Sequence, residues 1–103
     1  MVEWENVKIN VKIKDMRNLN LEKVLKALAN RRRLAILKYL KENGEAPVAE
    51  IAHEIDLSFK ATSKHLRVLS AADILERNQR SFQGFYSLAV SQTPAAKRIL
   101  SLL

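Results

Sequence analysis

VAEIAHEIDLSFKATSKHLRVLSAADIL, residues 48–75, decides the fold. Pro47 stands directly before it and opens a short helix through Ile55, with Ala49, Ile51, Ala52 and Ile55 as a narrow apolar stripe. Asp56-Leu57-Ser58 is a tight turn. Ser58 is a good N-cap for a longer helix from Phe59 to about Ala71. Helical spacing puts Thr62, Leu66 and Leu69 on one face, near Phe59, and Lys60, Lys64 and Arg67 on the other. Helix, turn, helix is a helix-turn-helix unit. After Asp73, Ile74-Leu75-Glu76-Arg77 and Phe85-Tyr86-Ser87-Leu88 read as two strands joined by a polar tip.

The flanks complete a small domain. Val7, Ile9, Val11 and Ile13 alternate with polar residues, the period of a half-buried strand. Asp15 to Asn20 is a polar connector. Asn20 can cap a helix from Leu21 to about Ala29, with Leu21, Val24, Leu25 and Leu28 on one side. Asn30 allows a break or a new cap. A second helix from Arg31 turns Leu34, Leu37 and Leu40 inward and stops at Asn43-Gly44, where glycine takes a left-handed conformation. Thr93-Pro94 caps and starts a last helix, to Leu103, that carries Ala95, Ala96, Ile99, Leu100, Leu102 and Leu103. The expected fold is mainly α with a small β-hairpin wing, a winged helix-turn-helix over residues 20–103, preceded by an extra N-terminal strand and connector over residues 1–19.

Composition narrows the function. The chain has 103 residues, room for one domain, and 48% are hydrophobic, enough for a core. Eighteen Lys and Arg against 11 Asp and Glu give a formal charge of +7, which favours an anionic partner. Residues 31–44 and 59–80 each carry five bases, whereas residues 45–58 carry four acids and no Lys or Arg. Such runs also occur as plain solvated faces. There is no cysteine, so thiolate metal sites and cysteine nucleophiles are excluded. The longest apolar run is Leu34 to Leu37, too short to cross a membrane. Glu3 and Glu5 at the start, with no apolar core behind them, do not read as a signal peptide, so a cytoplasmic protein is expected. Neither a phosphate-binding glycine loop nor a nucleophile–base set is legible. Ser63 and His65, two apart on a helix, point about 200° apart. No enzyme activity, cofactor or metal is expected. His53 reads as a surface residue.

A recognition helix must fit the major groove, about 12 Å wide, with its N-terminal residues at base edges. Lys60, Ser63 and Lys64 hold those positions here, and Arg67, Arg31, Arg32 and Arg33 can flank them on phosphates, a partly structural role for Arg33 being open, while Arg77 and Arg80 of the wing can reach the backbone or the minor groove. His65 falls at the core edge, where a hydrogen-bonded structural histidine and a phosphate contact are both open.

These residues resemble the ArsR/SmtB family of winged-helix repressors. ALANRRRLAIL, residues 27–37, is similar to that family's second helix, with Arg33 at its typical arginine. Residues 48–75 follow its helix-turn-helix, including an S-x-H-L-x-x-L signature as Ser63, His65, Leu66 and Leu69. Phe85-Tyr86-Ser87-Leu88 sits where the family ends its second wing strand. The resemblance covers about residues 20–103. It implies a DNA-binding regulator, with the first and last helices forming a dimer seam through Leu21, Leu25, Ala95, Ile99, Leu100 and Leu103.

Four departures stand out. Asp56, Asp73 and Ser81 occupy positions where the family has glycine, and Asp tolerates positive φ better than most residues. The cysteines, or His and Asp, with which metal-sensing members bind their ion have no counterparts. The expectation is therefore a homodimeric, sequence-specific repressor on double-stranded DNA, without metal or membrane. Two-fold symmetry would space its recognition helices about 34–36 Å apart on an imperfect palindrome. The alternative is a winged-helix protein-interaction module in a larger transcription or replication assembly.

Overall fold

Asn30 divides the first helical stretch in two, and everything after it is laid on the second half. In the computed structural model, which describes residues 19–103, α1 spans Leu19–Leu28 and α2 spans Arg31–Asn43. The Asn30 side chain accepts hydrogen bonds from the backbone N–H groups of Arg32 (2.9 Å) and Arg33 (3.1 Å), satisfying two donors left open at a helix start. Gly44, at φ 88°, ends α2 and donates its N–H to the Leu40 carbonyl. Three expectations shift here. Asn20 lies inside the first turn of α1 and does not cap it; the first-turn N–H groups need no intrahelical partner, so the helix can start two residues early. The inward face of α2 is Ile36, Leu37 and Leu40, with Leu34 only half-buried at its edge. The strand expected at Val7 to Ile13 lies outside the described residues.

β1 (Glu45–Pro47) follows and was not legible beforehand, since three residues cannot show a period of two. Pro47 accordingly ends a strand and serves as the N-cap position of α3 (Val48–Glu54), so it precedes the helix and does not lie within it. Ile51 and Ala52 are buried in α3, Ile55 is half-buried, and Ala49 is exposed, contrary to the expected stripe. α4 runs from Phe59 to Ala71, with the Ser58 hydroxyl accepting from the Ala61 N–H at 3.1 Å. The wing is β2 (Leu75–Arg80) and β3 (Gln83–Leu88), longer than the two short apolar runs. The sheet order is β1-β3-β2, all antiparallel, with Ala46 opposite Tyr86 and Arg77 opposite Tyr86 on its other side. α5 (Pro94–Leu102) starts from a Thr93 cap.

The core gathers Ile36, Leu37, Leu40, Ile51, Leu66, Leu69 and Ile74, each essentially without solvent contact. Burial of each such side chain stabilises by about 1.5–3 kcal/mol. Thr62, also fully buried, completes the α4 stripe expected from spacing. At the far end of α2, the Lys41 ammonium donates to the Leu100 carbonyl at 2.8 Å and to the Leu103 carbonyl at 3.5 Å, closing the open C-terminus of α5.

Both helices of the central motif end in the same way. After α3, the Asp56 N–H bonds the His53 carbonyl and the Leu57 N–H the Ala52 carbonyl. After α4, the Asp73 N–H bonds the Ser70 carbonyl and the Ile74 N–H the Leu69 carbonyl. These are Schellman motifs, with an aspartate at the left-handed position that glycine usually fills. Asp56 has φ 53° and Asp73 φ 59°. Asp73 also places a negative charge at the negative end of α4. Asp73→Asn keeps the tolerance for positive φ and removes that charge. It should stabilise the domain by about 0.3–1 kcal/mol, whereas Asp73→Val, β-branched at positive φ, should destabilise it. Thermal melts of the two variants beside the wild type check the order.

Candidate nucleic-acid interface

Because Leu66 and Leu69 are buried, the opposite side of α4 must face out. Lys60, Lys64 and Arg67 stand there, all exposed, one or two turns apart. Together with Ser58 and Ala61 they line an open groove of about 260 Å³. None of the three has an ion-pair partner among the described residues. Ser63 is half-buried and turns toward the wing, where it joins Phe59, Arg77, Phe82, Gly84 and Tyr86 around a second cleft of about 310 Å³.

The other expected cations fall into two groups. Arg31 and Arg32 are exposed at the start of α2. Arg33, by contrast, is spent inside the fold. Its Nε donates to the Ala27 carbonyl (2.6 Å) and one terminal nitrogen to the Lys26 carbonyl (3.0 Å). The other terminal nitrogen donates to His65 Nδ1 (3.2 Å). One guanidinium thus closes the C-terminus of α1 and ties it to the middle of α4. In the wing, Arg77 lies across Gly84, so closely that a Cβ on Gly84 would come 2.6 Å from its Nε. Arg80 pairs with Glu45 at 2.6 Å and stacks 4.9 Å over the Phe85 ring.

Sequence reading could not name these partners, because Arg80 and Glu45, or Arg33 and His65, lie more than 30 residues apart; a structural role for His65 was one of the two readings left open, and the contact with Arg33 supplies it. It also missed Tyr39, whose hydroxyl donates to the Glu50 carboxylate at 2.5 Å and joins α2 to α3. That bond, with burial and the charges of Glu50 and Glu54, pushes the phenol up to about 12.

A second surface lies away from the motif, where α1 packs on α5. Leu21 (41% exposed), Leu25 (48%) and Leu102 (71%) are apolar and open to solvent. Ala95, Ile99 and Leu103 are half-buried beside them, whereas Leu100 belongs to the interior.

A helix-turn-helix domain family model matches residues 28–78. The transcriptional activator HlyU of Vibrio cholerae is 35% identical over 80 residues, which span 78% of this chain and 73% of that protein. Among solved structures, a homodimeric winged helix-turn-helix DNA-binding domain from Mycobacterium bovis, Mb0332, is described as a possible ArsR-family transcriptional regulator. It superposes with a TM-score of 0.70 at 30% identity, over 81% of this chain and 73% of that one. NolR from Sinorhizobium fredii gives a TM-score of 0.74 at 29% identity, over 93% of this chain and 92% of its own. The chain belongs to the ArsR family of winged helix-turn-helix regulators. That is a family of DNA-binding transcriptional regulators and not of enzymes. No helix among the described residues is long and apolar enough to cross a membrane.

In this ArsR-family chain the histidine of the S-x-H-L signature is a titratable contact. Arginine can only donate, so His65 Nδ1 accepts and the ring is neutral with its proton on Nε2. Burial, then the charges of Arg33, Arg32 and Lys64, hold its pKa below the ordinary 6.5. A lowered folded-state pKa contributes stability that is present above the unfolded value and lost as pH falls below it. Wild-type protein should therefore melt progressively lower below about pH 6.5. His65→Gln, whose amide oxygen can still accept from Arg33, should flatten that dependence. Melting curves of both proteins between about pH 7.5 and 5 test it.

Proposed function

We propose that the protein is a homodimeric, sequence-specific repressor that lays α4 in the major groove of double-stranded DNA. The observation that carries this reading is the row Lys60, Lys64 and Arg67, without ion-pair partners among the described residues, on the outward face of a helix whose back is locked in the core. Lys60, Ser63 and Lys64, in the first turns, reach base edges; Arg67, Arg31 and Arg32 bind phosphates. Arg77 lines the cleft beside α4 and meets the backbone there. Arg80 joins it only by exchanging Glu45 for a phosphate. Arg33 and His65 serve the interface by fixing the orientation of α4.

Homodimerisation is supported by the apolar surface of Leu21, Leu25, Ile99 and Leu102 and by the homodimeric state of Mb0332. Two-fold symmetry then calls for an imperfect palindrome. Repression needs nothing beyond occupancy of a site. PagR of Bacillus anthracis, 25% identical with a TM-score of 0.67, is a transcriptional repressor, whereas HlyU is named an activator. Release from DNA by a metal is not part of this reading. The chain has no cysteine, and among the described residues no three His, Asp or Glu side chains gather where they could hold an ion.

Two outcomes are expected. With roughly 6–10 phosphate contacts, affinity for a duplex selected from a random library should fall by about 10³–10⁵ between about 50 and 200 mM salt. Replacing a phosphate-binding side chain lowers that slope by about one, so Arg31→Ala with Arg67→Ala should flatten it at an unchanged melting temperature, both residues being exposed. A slope near zero in the wild type, measured by mobility shift, would mean that the α4 face is not a DNA surface. Leu25→Glu should convert dimer to folded monomer in light scattering and weaken operator binding at the same time, since a charge in an apolar seam is desolvated without a partner.

A further inference from the structure

The tip of the wing is built against local preference. β2 and β3 are joined by two residues, Ser81 and Phe82, between the paired Arg80 and Gln83. Ser81 sits at φ 53° and Phe82 does not share that region, the φ pattern of a type II′ loop whose first position favours glycine. A serine there is strained. The strain raises a phenylalanine to the apex, where it is 99% exposed. A side chain with almost no protein contact contributes nothing to the core, and a fully exposed aromatic costs solubility.

What surrounds it has one chemical character. Asn78, Gln79 and Gln83 are exposed amides, and residues 77–84 contain no acid. The two arginines of the wing are both drawn back from the apex. Arg80 is held on one face of the hairpin by Glu45 and the Phe85 ring, and Arg77 lies on the other face over Gly84. Phe82 nevertheless faces the same cleft as Phe59 and Ser63 of the first turns of α4. The apex and the recognition helix are therefore one continuous surface. Amides that read A·T against G·C, around an apolar side chain that can enter between base steps, is the composition of a minor-groove wedge.

We propose that Phe82 inserts between base steps of the minor groove flanking the major-groove site of α4, unstacking and kinking the duplex there. This rests on the reading of α4 as the DNA-binding helix. The wing then works by deformation, favouring flexible pyrimidine–purine steps at positions that no arginine contacts.

The full chain is bound to its selected duplex, with 2-aminopurine placed in turn at each flanking step. Wild-type protein should raise the fluorescence at one step in each flank and bend the duplex in an end-to-end energy-transfer assay. Phe82→Ala should abolish both signals at saturation and weaken binding about 5- to 100-fold, as for loss of one base–aromatic stack, with the melting temperature unchanged. Phe82→Leu, still an apolar wedge, should keep both signals. Lys60→Ala should weaken binding yet keep them when saturated. Tight wild-type binding with no fluorescence rise at any step overturns the wedge alone, as does a Phe82→Ala protein that bends the duplex normally. Failure of the wild type to bind any duplex overturns the wedge together with the DNA-binding reading of α4.

Discussion

Burial of the back of α4 is the constraint from which the rest follows. Leu66 and Leu69 have no solvent contact, and Ile74, just beyond the Schellman turn, joins them in the core. A helix held in this way cannot rotate about its axis without exposing apolar area at about 25 cal/mol per Å². Lys60, Lys64 and Arg67 therefore project from one fixed backbone geometry, and only their exposed side chains remain to be ordered on association. The helix start is pinned by Ser58 and its middle by the Arg33–His65 contact, so position along the axis is set as well.

Eight arginines and lysines were candidates in the sequence, and the fold sorts seven of them by their partners. Lys60, Lys64, Arg67, Arg31 and Arg32 keep their charge available, while Arg33 and Arg80 spend theirs on carbonyls, an imidazole and a carboxylate. The sorting matters for affinity. A cation already paired must give up one partner to gain another, and the difference is all it contributes. Arg80 and Glu45 are well over one third exposed or close to it, so solvent screens their attraction and the exchange is cheap. Arg33 has three hydrogen bonds to lose, and no phosphate replaces all of them.

α4 was legible to its last residue because its signals are local: a serine cap, an apolar stripe with helical spacing, and a turn after Ala72. The same holds for the Asn30 cap and the Thr93-Pro94 start of α5, whereas Asp56, Asp73 and Ser81 stood out only through the resemblance to a family that has glycine there; the backbone shows the two caps and a positive φ at all three. The sheet was harder. β2 reads LERNQR, with one buried residue, and only its pairing with β3 makes it a strand. β1 is three residues long and exists because β3 offers it an edge. At the interface, exposure of the α4 cations followed from periodicity. The withdrawal of Arg33 and Arg80, and the place of Leu100 in the interior, depend on partners distant in sequence. Pattern alone cannot reveal those.

α2 touches both ends of the molecule's business. At its start Arg33 grips His65 of the recognition helix; near its finish Lys41 holds the last carbonyls of α5, the helix beside the open apolar seam. Arg33 and Lys41 stand eight residues apart, so at 1.5 Å each the rod between the two grips is about 12 Å long. A rod clamped at both ends transmits tilt. In the proposed homodimer, a change in how the protomers meet through α5 would be delivered by this lever to α4, and the separation of the two α4 helices would become a mechanical property of the seam.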